Sequence, residues 1–167
     1  MARPDALAYA SWASLRLPTE AEWEHAARGG VPGRAYAWGD ELEAGGRVLA
    51  NTYRGDFPWR SLHPRGPGTS AVGSDPPNGY GLVDMIGNVW ERTSTPWTET
   101  LAELPPAPVA SCCARTVADT EEERAVTTGG SHLCSSSYCR RSRPAARQGQ
   151  GVLSSTSHVG LRCVVDA

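Results

Sequence analysis

Two cysteines in a loop rich in glycine and serine are the side chains best suited to chemistry. Cys134 and Cys139 lie five positions apart, after Gly-Gly-Ser at residues 129–131 and before a cluster of arginines at residues 140–143. Cationic neighbours lower the pKa of a thiol and favour thiolate, the form that binds soft metals. Two soft donors suit Cu(I), whereas Zn(II) usually takes four ligands. A buried free pair or a disulfide is the alternative that the spacing alone leaves open.

The remaining cysteines do not suggest a second metal site. Cys112 and Cys113 are adjacent, which makes a poor chelate, and we expect spectator or redox-active thiols there. Cys163 ends a predicted strand, where a small core residue is expected. Five cysteines cannot all form disulfides within one chain, and in a reducing cytosol we expect free thiols.

A glycine turn between two acidic residues is the second candidate site. Asp84 and Glu91 flank Gly87. Carboxylates and free carbonyl groups are the hard oxygen ligands that Ca²⁺ prefers. Two solvated acids beside a turn are the simpler alternative. The neighbouring Trp90 is by default a core aromatic residue.

Few regular elements are predicted to position these residues. Thr19 and Glu22 have capping-box spacing, which predicts a helix over residues 20–28 that ends at Gly29-Gly30. Apolar spacing predicts a short helix over residues 5–14.

The rest of the chain favours loops and short strands. Strands are predicted at residues 125–127 and 160–165, where β-branched residues lie near glycine turns. Residues 101–123 combine prolines with an acidic run and predict a mobile surface excursion.

Composition limits the classes of partner. The 167 residues suit one domain, and 16 basic against 18 acidic side chains give no field that would attract nucleic acid or an anionic membrane. No apolar run approaches the roughly 20 residues of a membrane span, and the N-terminus lacks the apolar core of a secretory signal. We therefore expect a cytoplasmic protein with no nucleic-acid or membrane partner.

Three motifs together resemble the formylglycine-generating enzyme family, also called sulfatase-modifying factors. They are residues 16–24, residues 78–91 and the cysteine loop at residues 129–139. The first two motifs also occur in lectin-like modules and ergothioneine-type sulfoxide synthases, and therefore indicate the fold. The Gly-Gly-Ser-x-x-Cys-x-x-x-x-Cys loop is characteristic of the oxidase. The resemblance runs from about residue 5 to residue 166, with a break at residues 98–124.

This resemblance implies an α+β fold related to C-type lectins, with little regular secondary structure. Residues 1–167 would form a single partial domain, N-terminally truncated relative to the family, with a mobile surface insertion at residues 98–124. We expect a monomer if the domain is complete.

The resemblance also implies an activity. Family members convert the cysteine of a Cys-x-Pro-x-Arg motif in sulfatases to Cα-formylglycine, with O₂ and with Cu(I) held by the loop cysteines, here Cys134 and Cys139. The client thiolate would be the third sulfur ligand. Further residues match family positions in the metal and O₂ pocket: Ser131, Tyr138, Trp90, Arg147 and His158, the last replacing a common asparagine.

Calcium ligands follow from the same resemblance. Asp84 and Glu91 would supply side chains, and Gly87 and Val89 would supply carbonyl groups. Asn51 matches a ligand of another calcium site. The family's Glu-Asp-Gly stretch, which supplies an acid to that second site, is replaced here by residues 62–66 (Leu-His-Pro-Arg-Gly).

Two other functions compete with the oxidase. A non-catalytic, calcium-stabilised lectin-like binding module, or an inactive fragment of the enzyme, would not need Cys134 and Cys139. An iron-dependent sulfoxide synthase is disfavoured because the chain has no His-x-x-x-His-x-Glu motif.

Overall fold

A computed structural model describes residues 1–63, 66–101 and 123–166. Two helices and eight strands form in these residues. They are α1 (Arg3–Trp12), α2 (Glu20–Arg28), β1 (Glu43–Ala44), β2 (Arg47–Val48), β3 (Gly55–Asp56), β4 (Arg60–Ser61), β5 (Trp90–Pro96), β6 (Arg124–Thr128), β7 (Arg147–Gly151) and β8 (Val159–Leu161).

The local capping signals give the clearest agreement between sequence and structure. The helix predicted over residues 20–28 is confirmed. Thr19 Oγ1 accepts a hydrogen bond from the Glu22 amide at 3.2 Å, and Glu22 Oε2 accepts one from the Thr19 amide at 2.7 Å. Gly29 ends the helix in the left-handed conformation. The first helix begins and ends two residues earlier than predicted, because Pro4 suits a first helical turn and Ser14 adopts a positive φ.

A mixed four-stranded sheet in the order β7-β6-β5-β8 forms the centre of the fold. β5 pairs antiparallel with β6 and parallel with β8, and β6 pairs antiparallel with β7. β1-β2 and β3-β4 are separate two-stranded pairs. The predicted α+β class is confirmed. The strand predicted at residues 125–127 lies within β6, and the one predicted at residues 160–165 is shorter, since β8 ends at Leu161 and only an isolated bridge joins Val164 to Arg16.

The main hydrophobic core lies between α2 and the loops that follow it. Trp23 is 1% exposed and packs with Ala27, Tyr36 and Ile86. Burying an indole of this size contributes roughly 1.5–3 kcal/mol or more to folding. Its Nε1 donates a hydrogen bond to the Glu91 carboxylate at 2.6 Å, so the core is joined directly to the central strand.

The insertion predicted at residues 98–124 falls largely outside the described residues, as do Cys112 and Cys113. Its mobility remains a prediction. Among the described residues, none of the helices has the length and hydrophobicity required to cross a bilayer.

Replacing Thr19 with alanine should lower the free energy of unfolding by about 1 kcal/mol, because the first turn of α2 loses its side-chain cap. Urea denaturation followed by circular dichroism would measure the change. Thr69→Ala, at an exposed loop position, is the matched control and should change stability by less than about 0.5 kcal/mol. Equal effects of the two substitutions would contradict the role of the cap.

Candidate functional site

The cysteine loop follows β6 through two glycines. Any other residue at either position would force neighbouring atoms to move. Gly129 and Gly130 have φ values of +88° and +76°. A Cβ on Gly129 would lie 2.9 Å from the Trp23 ring, and one on Gly130 would lie 2.8 Å from the Arg141 carbonyl oxygen. Positive φ and close approach both favour glycine. The Gly-Gly pair therefore sets the path of the chain into the site.

Backbone hydrogen bonds hold the loop that carries both thiols. The Cys134 amide donates to the Ser131 carbonyl at 2.9 Å, and the Cys139 amide donates to the Ser135 carbonyl at 2.8 Å. The Tyr53 amide donates to the Cys134 carbonyl at 3.0 Å, which joins the loop to a distant segment. The loop is thus fixed by its own turns and by a long-range contact.

The structure brings the predicted thiol pair together. Cys134 and Cys139 are free and line the same cavity, whose volume is about 360 Å³. Cys134 is 5% exposed and packs with Trp90, Ala146 and Val159, and the half-buried Cys139 lies against this cluster. Two soft donors on one wall fit Cu(I) and are two ligands short of a structural zinc site. No group of three or more His, Cys, Asp or Glu residues in the described part of the chain could hold a metal.

Burial controls the protonation of Cys134. It raises the pKa of the thiol to about 11, an effect only partly offset by hydrogen bonding from Ser131, whose amide lies 3.4 Å from Cys134 Sγ, and increased by Cys139. The expectation that nearby arginines lower this pKa is wrong for Cys134. Arg140 and Arg143 are exposed on the cavity rim, where water screens their charge.

Apolar and charged groups both line the cavity, with Leu42, Val48 and Leu62 among the apolar ones. Its lining includes Arg54, Arg140 and Arg143 together with Glu43 and Asp56. Ser136 and Ser137 also face it. A volume of this size, open to solvent, can admit a side chain and part of the polypeptide that carries it.

Ser131 and Trp90 lie beside Cys134, and their roles in a metal and O₂ pocket remain predictions. Ser131 is 1% exposed, and its amide points at the Cys134 sulfur. Trp90 is 3% exposed and contacts the thiol cluster. Both residues shape the surroundings of Cys134.

His158 is hydrogen-bonded to Trp90 through its backbone and does not line the cavity. Its carbonyl accepts the Trp90 amide at 2.8 Å. Burial and the nearby His132 lower the pKa of its imidazole. His132 is 5% exposed, and its Nδ1 lies 2.8 Å from the Asn88 carbonyl, so Nδ1 carries the proton. Sequence reasoning did not single out His132, because a lone histidine in a loop gives no local signal.

Tyr138 and Arg147 are placed differently from one another. Tyr138 is 74% exposed, stacks on Phe57 and lies in the chain between the cavity residues Ser137 and Cys139 without lining the cavity itself. Arg147 is directed away from the cavity: its Nε donates to Glu20 at 2.6 Å and its guanidinium lies 4.4 Å from the Trp97 ring centroid. Ala146 packs against Cys134, and successive residues of an extended chain point in opposite directions. The pocket-cation role predicted for Arg147 is therefore not supported by its contacts.

Asp84 and Glu91 both accept hydrogen bonds from protein groups. Asp84 accepts the Asp75 amide at 3.1 Å and also that of Gly73, while Glu91 accepts Trp23 and the Arg162 guanidinium. A carboxylate has about four acceptor positions, so each retains some capacity for a cation. The turn adopts positive φ at Asp84, Gly87 and Asn88, and the Asn88 carbonyl is already an acceptor for the His132 amide. The ligand set predicted for calcium, Asp84, Gly87, Val89 and Glu91, remains a prediction.

Asn51 is a hydrogen-bonding residue between loops. Its side-chain amide donates to Gly68 O at 2.9 Å and to Asn88 Oδ1 at 3.2 Å, and its backbone amide donates to Asp75 at 3.2 Å. These contacts account for an asparagine at this position without a metal, and the predicted second calcium site at Asn51 remains a prediction.

The pKa of Cys134 predicts an unusual alkylation profile. In metal-free native protein, the iodoacetamide reaction rate at Cys134 should still rise between pH 9 and pH 10, because the thiol ionises near its pKa of about 11. Peptide mapping by mass spectrometry would measure it. In urea the same residue should approach its plateau near the ordinary thiol pKa of about 8.5.

The raised pKa of Cys134 also makes the folding stability depend on pH. The folded state keeps a proton that the unfolded chain releases, so stability should fall as pH rises from the ordinary thiol value towards about 11. A native alkylation rate that levels off near pH 8.5 would contradict the buried, protonated thiol.

Comparison with known proteins identifies the family of this chain. Residues 2–167 match the model of the sulfatase-modifying factor enzyme 1-like domain. The formylglycine-generating enzyme of Mycobacterium tuberculosis is 51% identical over 170 residues, which cover 99% of this chain and 56% of that protein. A bovine protein named inactive Cα-formylglycine-generating enzyme 2 is 34% identical, covering 98% of this chain and 48% of that protein.

A solved structure supports the same fold. PvdO from Pseudomonas aeruginosa superposes with a TM-score of 0.70 at 24% identity, covering 96% of this chain and 58% of that one. The chain spans about half the length of the curated relatives it matches. The family match over nearly all residues, the similar fold and the paired thiols lead to one conclusion: this chain belongs to the sulfatase-modifying factor, or formylglycine-generating enzyme, family.

Proposed function

We propose that this chain forms the thiol-bearing part of a Cu(I)-dependent oxidase that converts a client cysteine to Cα-formylglycine. The client would be a sulfatase with a Cys-x-Pro-x-Arg motif. The observation that carries the proposal is the position of Cys134 and Cys139, which are both free and line one cavity open to solvent. The relatives named formylglycine-generating enzymes support this choice of reaction.

The net chemistry needs O₂ and an external thiol reductant. The client's β-carbon is oxidised from thiol to aldehyde, and its C–S bond breaks so that sulfur leaves as hydrogen sulfide. One oxygen atom of O₂ enters the aldehyde and the other becomes water. The reductant supplies the remaining two electrons and two protons. Cu(I), held by Cys134 and Cys139, would supply a soft site for the client sulfur and for activation of O₂.

The protein's own residues bind, orient and shield. The Ser131 amide holds the Cys134 sulfur, and the tight loop fixes Cys139 on the same wall. Trp90 and Val159 exclude water from the Cys134 side. A client thiol entering beside two fixed sulfurs meets them at high effective concentration.

The protonation of Cys134 affects metal loading. Copper binding must displace the Cys134 proton, so we expect Cu(I) affinity to rise with pH up to the region of pH 11. A soft, strongly thiophilic ion is better able to do so than a harder divalent ion.

A non-catalytic binding module or an inactive fragment is the alternative. One bovine relative in the family is named inactive Cα-formylglycine-generating enzyme 2. The two functions differ in one requirement, because a binding module does not need the thiols.

The proposed location is the cytoplasm, where a thiol reductant would be present.

Substituting either loop thiol should abolish oxidation. Copper-loaded wild-type protein should convert the cysteine of a Cys-x-Pro-x-Arg peptide to an aldehyde in air with a thiol reductant, as detected by mass spectrometry and hydrazide trapping. Cys134→Ser and Cys139→Ser should lower the rate by at least about 100-fold, since each removes one of two soft ligands. Cys163→Ser, at a half-buried thiol away from the cavity, is the matched control and should keep the rate. Aldehyde formation by both loop variants would contradict the proposal.

We also propose that Ca²⁺ binds at the Asp84–Glu91 turn and stabilises it. Thermal unfolding should then shift upwards with added Ca²⁺, because a ligand that binds only the folded state stabilises it by mass action. Asp84→Asn tolerates the positive φ at this position and should weaken the shift, whereas Asp166→Asn, at an exposed acid, should not. The same response in all three proteins, or no response in wild type, would refute the site.

A further inference from the structure

One buried histidine joins the thiol loop to the Asp84–Glu91 turn. His132 lies two residues before Cys134 and is 5% exposed. Its backbone amide donates to the Asn88 carbonyl at 2.9 Å, and its Nδ1 lies 2.8 Å from the same oxygen. Because a carbonyl oxygen can only accept, the imidazole donates through Nδ1. Both hydrogen bonds of this residue therefore end on one carbonyl group of the turn.

Asn88 is held in place by further hydrogen bonds. It is 8% exposed, and its amide donates to the Asn51 carbonyl at 2.8 Å. Its Oδ1 accepts the Ser70 amide at 2.9 Å and the Asn51 side chain at 3.2 Å. Its neighbours in the chain, Gly87 and Val89, are the residues whose carbonyl groups are proposed as calcium ligands. The Asn88 carbonyl is thus the point at which the proposed calcium site meets the thiol loop.

His132 also lies inside the turn that holds the Cys134 sulfur. The Cys134 amide donates to the Ser131 carbonyl at 2.9 Å, and the Ser131 amide lies 3.4 Å from Cys134 Sγ. Since these two residues flank His132 within one hydrogen-bonded turn, separating His132 from Asn88 moves the groups around the sulfur. The imidazole contact therefore acts on Cys134 through the backbone.

Access to Cys134 requires the loop to open. The residue is 5% exposed, so a reagent reaches its sulfur through local opening, which breaks the contacts between His132 and Asn88. A cation that binds the turn more tightly in the closed form shifts this equilibrium by its difference in affinity for the two forms. Binding at the turn can thereby protect a thiol that the cation does not touch.

We propose that His132 is a positioning residue that couples the Asp84–Glu91 turn to Cys134, so that Ca²⁺ on the turn keeps the thiol loop closed. This inference rests on the proposed calcium site and requires neither copper nor oxidation. Coupling of this kind is reciprocal, so a soft ion that holds Cys134 in the closed loop should increase the affinity of the turn for Ca²⁺ by the same factor.

Alkylation of copper-free protein measures the opening of the loop. The iodoacetamide rate at Cys134 is determined by peptide mapping at about pH 9, with and without Ca²⁺ at constant ionic strength, and free N-acetylcysteine in the same tube corrects for effects on the reagent. The proteins are wild type, His132→Asn, His132→Leu and His25→Leu. Asparagine carries an N–H donor on its γ-carbon, as histidine does at Nδ1, whereas leucine carries none. His25, exposed on α2, is the matched histidine control.

We expect saturating Ca²⁺ to slow the alkylation of Cys134 by about 5-fold or more in wild type, the lower end of typical coupling between two sites. His132→Asn and His25→Leu should keep this protection. His132→Leu should keep less than about 2-fold, carried by backbone contacts such as the Gly87 amide on the Gly129 carbonyl at 2.9 Å. The rise in melting temperature with Ca²⁺ should persist in His132→Leu, which shows that this variant is folded and binds the cation.

Several results would overturn the coupling and leave the calcium site in place: equal protection in His132→Leu and wild type, no protection in His132→Asn, or a rise in melting temperature without protection of Cys134. Loss of the rise in His132→Leu would make His132 a part of the calcium site and would also overturn the coupling. No rise in wild type would reject the site and the coupling together. Aldehyde formation without protection by Ca²⁺ would keep the oxidase and reject only the coupling.

Discussion

The buried carboxylate of Glu91 is the contact on which the arrangement of the fold depends. It accepts the Trp23 indole at 2.6 Å and the Arg162 guanidinium at 3.0 and 3.1 Å, so α2, the central strand β5 and the segment after β8 meet at one side chain. Glu91 is 7% exposed. An unpaired carboxylate at this depth would be costly, whereas here each neighbour supplies a donor.

The same residue determines which way its neighbour faces. Side chains alternate along a strand, so with Glu91 directed at α2, Trp90 is directed at the opposite side, where it packs on Cys134. The ion pair on one face of β5 thereby fixes the aromatic wall of the thiol site on the other. Thr128, the partner of Glu91 in β6, lies immediately before the Gly-Gly turn, which carries the same register into the cysteine loop.

Local signals predicted the parts of this structure that depend on local chemistry. The capping box predicted α2, and the Gly-Gly-Ser and cysteine spacing predicted the thiol loop, because each is specified within a few residues. β5 and β7 were not predicted. β7 has the sequence Arg-Gln-Gly-Gln-Gly, which has no intrinsic strand preference, and it becomes a strand only because β6 pairs with it.

The sequence predicted that Cys134 and Cys139 form the site, but it did not predict the pKa of Cys134. Charge near Cys134 in the sequence suggested a lowered pKa, yet the thiol is buried against Trp90 while the arginines remain in solvent, and burial outweighs distant screened charge. Arg147 shows the same limitation, since its neighbour Ala146 faces the thiols and Glu20, far away in sequence, takes the guanidinium. Tyr53 could not be assigned to the site because long-range backbone pairing with the cysteine loop brings it there.

The two thiols are therefore chemically unequal, although the sequence presents them as a pair. Cys134 is enclosed, protonated and tied by its own backbone to Tyr53, whereas Cys139 is half-buried and follows the exposed Tyr138. A ligand that must bind both sulfurs has to displace a proton from the buried one, while an incoming chain meets the more accessible one first. In the proposed oxidase, enclosure of Cys134 would favour tight retention of a soft ion, and the partial exposure of Cys139 would leave an open side for the client. This difference arises from packing around Trp90, and thus ultimately from the direction in which Glu91 is held.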